Sequence, residues 1–306
     1  MLKTTPRILL IGQQGQVAWE LQRTLATLGE LIVVGRDTHP HALDLSRPES
    51  IASVVEALQP QWIVNAAAYT AVDKAEQEEA LATTINALAV GELAAAARRV
   101  GALIVHYSTD YVFDGMSTQP YTEDAPTRPQ SAYGRSKLAG EEAIRNAGVP
   151  HLILRTSWVY GARGNNFMRT IRRLAREREE LRIVADQYGC PTWSRHIAEA
   201  TAQILAQLGQ NPSAWNDKSG TYHLVSSGQG SWYDFAARIV DHQRQHEAIK
   251  AERILPIRTE DYPLPAPRPG YSVLCTDKLR ASFGIHMPHW ESALSQVHND
   301  LNMERN

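Results

Sequence analysis

Cysteine is nearly missing from this chain. The two present in 306 residues, Cys190 and Cys275, lie far apart and in no CxxC or Cys/His ligand pattern. That excludes a disulfide framework and a thiolate metal site, and it fits a reducing compartment; both read as buried bystanders. An excess of either charge is missing too. Lys and Arg number 31 against 33 Asp and Glu, a formal charge of −2, so the chain lacks the basic footprint of nucleic-acid binders and no DNA or RNA partner is expected. No run of sequence approaches the roughly 20 apolar residues that a membrane span needs. The start, MLKTTPRILLIG, ends in glycine without the longer apolar region and small-residue cleavage site of a signal peptide. The expected location is cytoplasmic, with no membrane partner. His39 and His41 form an HxH in a polar loop with no third ligand in view, so no metal is expected there.

What is present is ordinary for a soluble globular chain: 43% apolar and 21% charged residues. The length suits two domains, or one large α/β unit with an appended lobe. Short apolar runs at Arg7 to Ile11, Leu31 to Val34, Trp62 to Asn65 and Leu103 to Tyr107 alternate with helical patterns at Gln16 to Leu28, Pro48 to Leu58 and one long stretch from Asp73 to Val100. Such alternation predicts a parallel sheet with helices on both faces, and near-continuous apolar strands are what two-sided burial demands. Ser131 to Ala147 reads as a further helix and His151 to Leu154 as a further strand. Beyond them the rhythm loosens. Arg169 to Glu180 reads as a solvated helix face, Thr221 to Val225 as a return to the sheet, Asn211 to Gly220 as polar turns, and Asp261 to Gly270, with four prolines, as irregular chain.

Two patterns carry chemistry. The first strand ends in Gly12-Gln13-Gln14-Gly15-Gln16-Val17-Ala18, where glycines let the backbone turn tightly and approach a pyrophosphate seated on a helix N-terminus. A glycine-rich turn with no ligand would look the same. The second pattern joins Thr109 to Tyr133 and Lys137, the last two in a YxxxK arrangement. Spacing of four puts Tyr133 and Lys137 on one helix face, so an ammonium near the phenol would draw its pKa from about 10 toward neutrality. Thr109 stands where a hydroxyl can meet a substrate carbonyl. The bland alternative is a Tyr and a Lys on the outside of a helix.

Joined, these residues resemble the extended short-chain dehydrogenase/reductase family. The matching segments run through almost the whole chain: GQQGQVAWELQ at Gly12, NAAAYTAVDKAE at Asn65, HYSTDYVFDG at His106, YGRSKLAGE at Tyr133, RTSWVYG at Arg155, GNNF at Gly164, DQYGCPT at Asp186, YHLV at Tyr222 and RPGYSVL at Arg268. The resemblance implies a Rossmann-like doubly wound parallel sheet with a smaller C-terminal substrate-binding lobe. It divides the chain into an NAD(P)-binding domain at 1–157, with later returns near 190–210 and 221–226, and a mainly nucleotide-sugar-binding lobe at 158–306. The implied reaction is reduction of the 4-keto group of dTDP-4-dehydro-L-rhamnose to dTDP-L-rhamnose by NADPH, with NADH as the alternative. A monomer or homodimer is expected.

Carried over by position, Gly12, Gly15, Gln16 and Val17 would hold the pyrophosphate, Asp44 and Leu45 would flank the adenine, and Ala67, Ala68 and Tyr69 would line the cofactor. Lys137 would also bind the nicotinamide ribose. Thr109, Asp110, Tyr133 and Trp158 would meet the sugar, and Asn165, Asn166 and Arg268 the nucleotide diphosphate. Trp158 as core packing and Arg268 as a surface charge are the competing readings. Val33-Val34-Gly35-Arg36 ends the second strand without the acidic residue of NAD-selective folds, which makes Arg36 the candidate partner of a 2′-phosphate; a solvated Arg36 and use of both cofactors is the alternative. Some relatives bind a divalent metal through acidic residues at a dimer contact. Glu20 is the one acid that aligns, Arg195 puts a cation where another would stand, and the question of a divalent metal stays open. Two other functions fit the same fold: a nucleotide-sugar epimerase or dehydratase, and a non-catalytic regulatory subunit like that of methionine adenosyltransferase.

Overall fold

Side chains of β1 (Arg7–Ile11) from Ile8 onward are buried on both faces, and everything else in the sheet is arranged around that strand. The computed structural model describes residues 5–303. β2 (Glu30–Val34), β3 (Trp62–Asn65), β4 (Leu103–Thr109), β5 (His151–Thr156) and the strand Gly220–His223 join β1 in one sheet. All six run parallel, in the order Gly220–His223, β5, β4, β3, β1, β2. The chain leaves β1 for β2 on one side and returns to β3 on the other, so the strand order reverses beside β1. In open α/β sheets the crevice outside the carboxyl ends at such a reversal is where ligands bind.

The two faces hold separate cores. Ile8, Leu10, Val64, Val105 and Leu154 pack with the helices Gln16–Leu25 and Ser194–Leu208. Leu9, Ile11, Ile63, Ile104 and Ile153 pack with the helices Ile51–Leu58, Ala89–Val100 and Ala132–Ala147. Each such aliphatic side chain contributes about 1.5–3 kcal/mol on burial, which explains why the strands read as unbroken apolar runs. The C-terminal lobe has its own core. Tyr160, Met168, Ile171, Phe235, Ile239, Trp290 and Leu294 join the helices Phe167–Glu177, Trp232–Arg244 and Trp290–Met303.

Several expectations are corrected. The stretch Asp73–Val100 is not one helix: Val72–Ala75 is separate, and the winding resumes at Glu79. The helical run Glu79–Val100 has 22 residues and is long and apolar enough to cross a membrane by length and composition, against the expectation that no run comes near that limit. Its apolar side is used inside the protein, where Val90, Leu93, Ala94 and Ala97 are buried. Asn211–Gly220 contains the short helix Pro212–Asp217. The charged stretch from Arg169 splits into the end of a helix at Glu177 and a strand, Glu180–Val184, and Arg172 within it is buried. Cys190 is buried, but Cys275 is only partly so.

Within Glu79–Val100, Thr84–Leu88 widens into a π-turn. The turn brings the backbone of Asn86 against Gly140 of the helix Ala132–Ala147, so closely that a Cβ on Gly140 would stand 2.1 Å from the Asn86 carbonyl oxygen. Gly140→Ala should therefore destabilise the protein by about 1–3 kcal/mol through overpacking. Gly91 is a helix-interior glycine whose added Cβ would meet only Ala143, at an ordinary 3.5 Å. Gly91→Ala should stabilise by about 0.5–1 kcal/mol through helix propensity. Denaturant midpoints that move the same way in both variants would contradict the packing account.

Candidate active site

β1 ends at Ile11 and the backbone turns at Gly12, whose φ of +112° suits glycine alone. A Cβ there would lie 3.3 Å from Ala18 Cβ and 3.4 Å from the Ala66 carbonyl, so the turn is also sterically closed to larger residues. Gly15 then starts the helix Gln16–Leu25 in an extended conformation, with no side chain capping it. The first helical amides thus face the crevice without an internal partner, and such an end attracts an anion. Val17 packs inward, and the Gln16 side chain accepts a hydrogen bond from Asn166 Nδ2 at 2.9 Å. A Gly-lined, uncapped helix start at the sheet's reversal point fits a dinucleotide pyrophosphate.

The end of β2 lies beside this turn. Thr38 Oγ1 accepts from the Gly35 amide at 2.9 Å and from Gln13 Nε2 at 2.7 Å, which ties the two loops together. Arg36 is exposed and makes no ion pair among the described residues. Asp44 accepts from the amide and hydroxyl of Ser46, and Leu45 is buried. After β3, Ala67 donates its amide to Asn65 Oδ1 at 3.2 Å, and Ala68 is exposed. Tyr69 donates its amide to Asn86 Oδ1 at 2.9 Å and its hydroxyl to Glu78 at 2.7 Å.

The central residues sit at the carboxyl end of β4. That strand continues past Tyr107 to Thr109 itself, which pairs with Thr156 of β5. Thr109 Oγ1 accepts from the Tyr111 amide at 3.2 Å and donates to Asp110 Oδ1 at 3.0 Å. Ser131 caps the next helix by accepting from the Gly134 amide at 3.1 Å, which sets Tyr133 in its first turn. The Thr109 side chain lies near the Tyr133 hydroxyl, and the Tyr133 ring stands edge-on to Tyr111 at 5.7 Å. Burial pushes the Tyr133 phenol up to about 12, while Thr109 draws it down and Asp110 adds to the rise.

Among the described residues no hydrogen bond is found between Lys137 and that phenol. Lys137 Nζ instead donates to the Tyr107 carbonyl at 2.6 Å and lies 3.1 Å from His106 Nε2. The lysine is almost fully buried, and a desolvated amine takes the nearest polar atoms, which here belong to β4. Burial pushes it down to about 8, with Glu141 acting in the other direction. Asp110 is buried as well. Burial pushes its carboxyl up to about 6 against hydrogen bonds from Ser272, Ser157 and Thr109.

Trp158 follows β5 with φ of +46° and stacks flat on Trp232, ring centroids 3.5 Å apart. Asn166 caps the helix Phe167–Glu177 by accepting from the Arg169 amide at 3.0 Å, and Asn165 beside it is exposed. Arg268 donates to Asp73 at 2.8 Å and to the Ala266 carbonyl at 2.9 Å, close enough for its charge to act on Tyr111. Gly12 to Val17, Thr109, Tyr133 and Lys137 therefore lie along one edge of the sheet. Arg36 and Asp44 lie toward the β2 side and Trp158 on the β5 side. Sequence reasoning assigned no role to Asn65, Asn86, His106, Ser157 or Ser272. Asn65, His106, Ser157 and Ser272 fall within the quoted segments, but only the folding of the chain brings them to the site. No group of three or more His, Cys, Asp or Glu among the described residues could hold a metal. Glu20 pairs with Arg195 at 3.4 Å.

Residues 6–303 match the family model described as RmlD substrate binding domain. The dTDP-4-dehydrorhamnose reductase of Burkholderia thailandensis is 51% identical over 298 residues, 96% of this chain and 99% of that one. The enzyme of the same name from Escherichia coli K12 is 45% identical over 96% of this chain and 97% of its own length. A crystal structure of dTDP-4-dehydrorhamnose reductase from Bacillus anthracis in complex with NADP superposes with a TM-score of 0.86 at 34% identity, covering 97% of this chain and all of that one.

The buried Asp110 carboxyl titrates about two units above an unfolded aspartate. The folded state thus binds more protons between about pH 4 and 6, and stability falls as pH rises through that window. Asp110→Asn should remove this loss, gaining up to about 3 kcal/mol at pH 8 and little at pH 4. Urea unfolding at the two pH values measures the difference, and a gain independent of pH would refute it.

Proposed function

The chain belongs to the dTDP-4-dehydrorhamnose reductase family, and on that premise we propose how its own residues carry the reaction. It is an NADPH-dependent oxidoreductase that reduces the 4-keto group of dTDP-4-dehydro-L-rhamnose to give dTDP-L-rhamnose, the last step of dTDP-rhamnose biosynthesis. NADPH, when bound, supplies the hydride. Gly12, Gly15, Gln16 and Val17 hold its pyrophosphate, Asp44 and Leu45 flank the adenine, and Ala67, Ala68 and Tyr69 line its path.

The observation that carries this assignment of roles is the nearness of the Thr109 and Tyr133 hydroxyls at the end of β4, on the same sheet edge as the uncapped helix start. Two hydroxyls that meet there converge on the oxygen of a bound carbonyl. Thr109 orients that oxygen, and Tyr133 gives it a proton as negative charge develops, because a neutral phenol is a donor and becomes a strong one only against an alkoxide. The raised phenol pKa keeps the proton on Tyr133 until then. Lys137, one turn along the helix, stabilises the phenolate and binds the nicotinamide ribose. Trp158 contacts the sugar beside Asp110. Asn165, Asn166 and Arg268 meet the diphosphate, with Arg268 exchanging Asp73 for phosphate oxygens, which its planar fork matches.

We assign residues 1–157, with the later returns near 190–210 and 221–226, to cofactor binding. Most contacts to the nucleotide sugar fall to 158–306. The reaction is placed in the cytoplasm, in a monomer or homodimer without nucleic-acid or membrane partners.

Purified protein should consume NADPH stoichiometrically when given dTDP-4-dehydro-L-rhamnose. An epimerase or dehydratase that recycles tightly held NAD, or a non-catalytic subunit, would show no net consumption. Tyr133→Phe should lose about 10²- to 10⁴-fold in turnover while binding the cofactor normally, and a variant retaining half the rate would take Tyr133 out of the mechanism.

Arg36 tests cofactor choice. A charge-assisted contact of about 1.5–3 kcal/mol to the 2′-phosphate implies at least a tenfold preference for NADPH over NADH in kcat/KM. Arg36→Ala should abolish that preference; an unchanged ratio would rule the residue out as selector.

A further inference from the structure

Hydrogen bonds around Lys137 bear on its proton as well as its position. Asn65 of β3 and His106 of β4 are register partners, so their side chains lie side by side on the face that the helix Ala132–Ala147 covers. Asn65 Oδ1 accepts from the Ala67 amide at 3.2 Å. Its Nδ2 must then be the group that faces His106 Nδ1 at 3.1 Å. A ring nitrogen that accepts carries no proton, so the neutral imidazole holds its proton on Nε2. That N–H points at Lys137 Nζ, 3.1 Å away. To receive it, the lysine nitrogen needs a free lone pair and so must be an amine, one of whose own hydrogens goes to the Tyr107 carbonyl at 2.6 Å.

The ammonium form breaks this chain. With three donors and no acceptor, it would force the proton onto His106 Nδ1, against the Asn65 amide. Turning that amide over would set its Nδ2 against the Ala67 N–H. One donor–donor contact remains in either case, between His106 and Asn65 or between Asn65 and Ala67. Asn65, His106 and Lys137 are each about 1% exposed, and a misplaced donor in such a setting is costly.

We propose that His106 is a positioning residue for Lys137, whose Nε2–H favours the amine over the ammonium so that the lysine's charge is gained and lost near neutral pH. Burial acts in the same sense, lowering Lys137 to about 8 and His106 well below its ordinary value. The other groups that face Lys137 are few. Tyr133 and Glu141 share its helix face, and Asp110 lies beyond Thr109 against Tyr133. The Glu141 carboxylate is already held by Arg155 and Arg145, each at 2.7 Å.

The proposal rests on the reductase reading for its use. A Tyr133 phenolate left after protonating the sugar oxygen takes a proton from the Lys137 ammonium. One N–H bond breaks, one O–H bond forms, and the amine that remains is the form His106 is built to hold. Solvent supplies the replacement proton.

Two measurements on the full chain test it. In the wild type, kcat/KM should fall at high pH as Lys137 loses its proton in the free enzyme. His106→Gln places a carbonyl oxygen where Nε2–H stood, favouring the ammonium, and should move that basic limb up by about one pH unit, a tenfold change in the proton equilibrium. A limb that stays in place, whatever happens to kcat, overturns the proposal, since a merely structural histidine would lower activity without moving it. Nitrogen-15 histidine spectra of the wild type need neither a variant nor turnover: above about pH 8, where Lys137 is the amine, His106 should appear as the neutral Nε2–H tautomer. An Nδ1–H tautomer or an imidazolium overturns it. The expected tautomer in a protein that consumes no NADPH would support the pairing and overturn the reductase reading instead.

Discussion

The packing of the helix Ala132–Ala147 onto β4 is the contact on which the rest of the site depends. That helix buries a lysine and a glutamate, Lys137 and Glu141, one turn apart on the side facing the sheet. Neither can be taken out of water without partners. Glu141 finds a two-pronged one: Arg155 of β5 donates Nε at 2.9 Å and Nη2 at 2.7 Å. Burial pushes the Glu141 carboxyl up, but the Arg155 hydrogen bonds more than offset this and hold it below its ordinary value. Lys137 finds His106 and a strand carbonyl. Because both pairs are directional, the helix has one height and one rotation at which its polar groups are satisfied, and that setting is the one that delivers Tyr133 to Thr109.

A buried ion pair of this kind is weak evidence of added stability, since desolvation of both ions opposes their attraction. Its better-supported consequence here is register. Gly140 between the two charged residues lets the π-turn of the neighbouring helix close in, and Asn86 in that turn reaches both Tyr69 and Ser136. The loop after β3 and the helix bearing Tyr133 are thereby fixed to each other through one side chain, so the cofactor-lining turn and the proton donor hold a common frame.

Sequence periodicity made the sheet legible because β1, β3 and β4 are buried on both faces and leave few polar residues to blur the pattern. The helix Ala132–Ala147 and the turn at Gly12 were equally readable, one from the YxxxK spacing and the other from glycines before a helix. The π-turn was not, since one extra residue per turn leaves no mark in composition and its cause, the close approach to Gly140, is tertiary. Lys137 shows the same limit in the site itself. Spacing placed it correctly beside Tyr133 on the helix, yet the partner its nitrogen chooses is decided by which strand atoms lie beneath it. Asn65 and His106 are 41 positions apart in sequence, and only the parallel register of β3 and β4 makes them neighbours.

Desolvation acts on every titratable group at the centre of the site in one sense, toward its uncharged form. It raises Tyr133 and Asp110 and lowers Lys137 and His106. Two guanidinium groups stand at the rim: Arg36 is exposed, and Arg268, 14% exposed in its side chain, is held by the half-exposed Asp73. This division suits substrates whose phosphates carry the negative charge and whose reacting carbonyl carries none. Phosphates are met by guanidinium groups near water, where charge costs little to maintain. The carbonyl enters a region where a proton donor is neutral at the start, and where the alkoxide formed by reduction has few competing ions. In so dry a setting each hydrogen bond to the developing charge is stronger than it would be in water. The same burial that makes Tyr133 a poor acid toward solvent therefore makes it a selective one, giving up its proton only when a stronger base is generated against it.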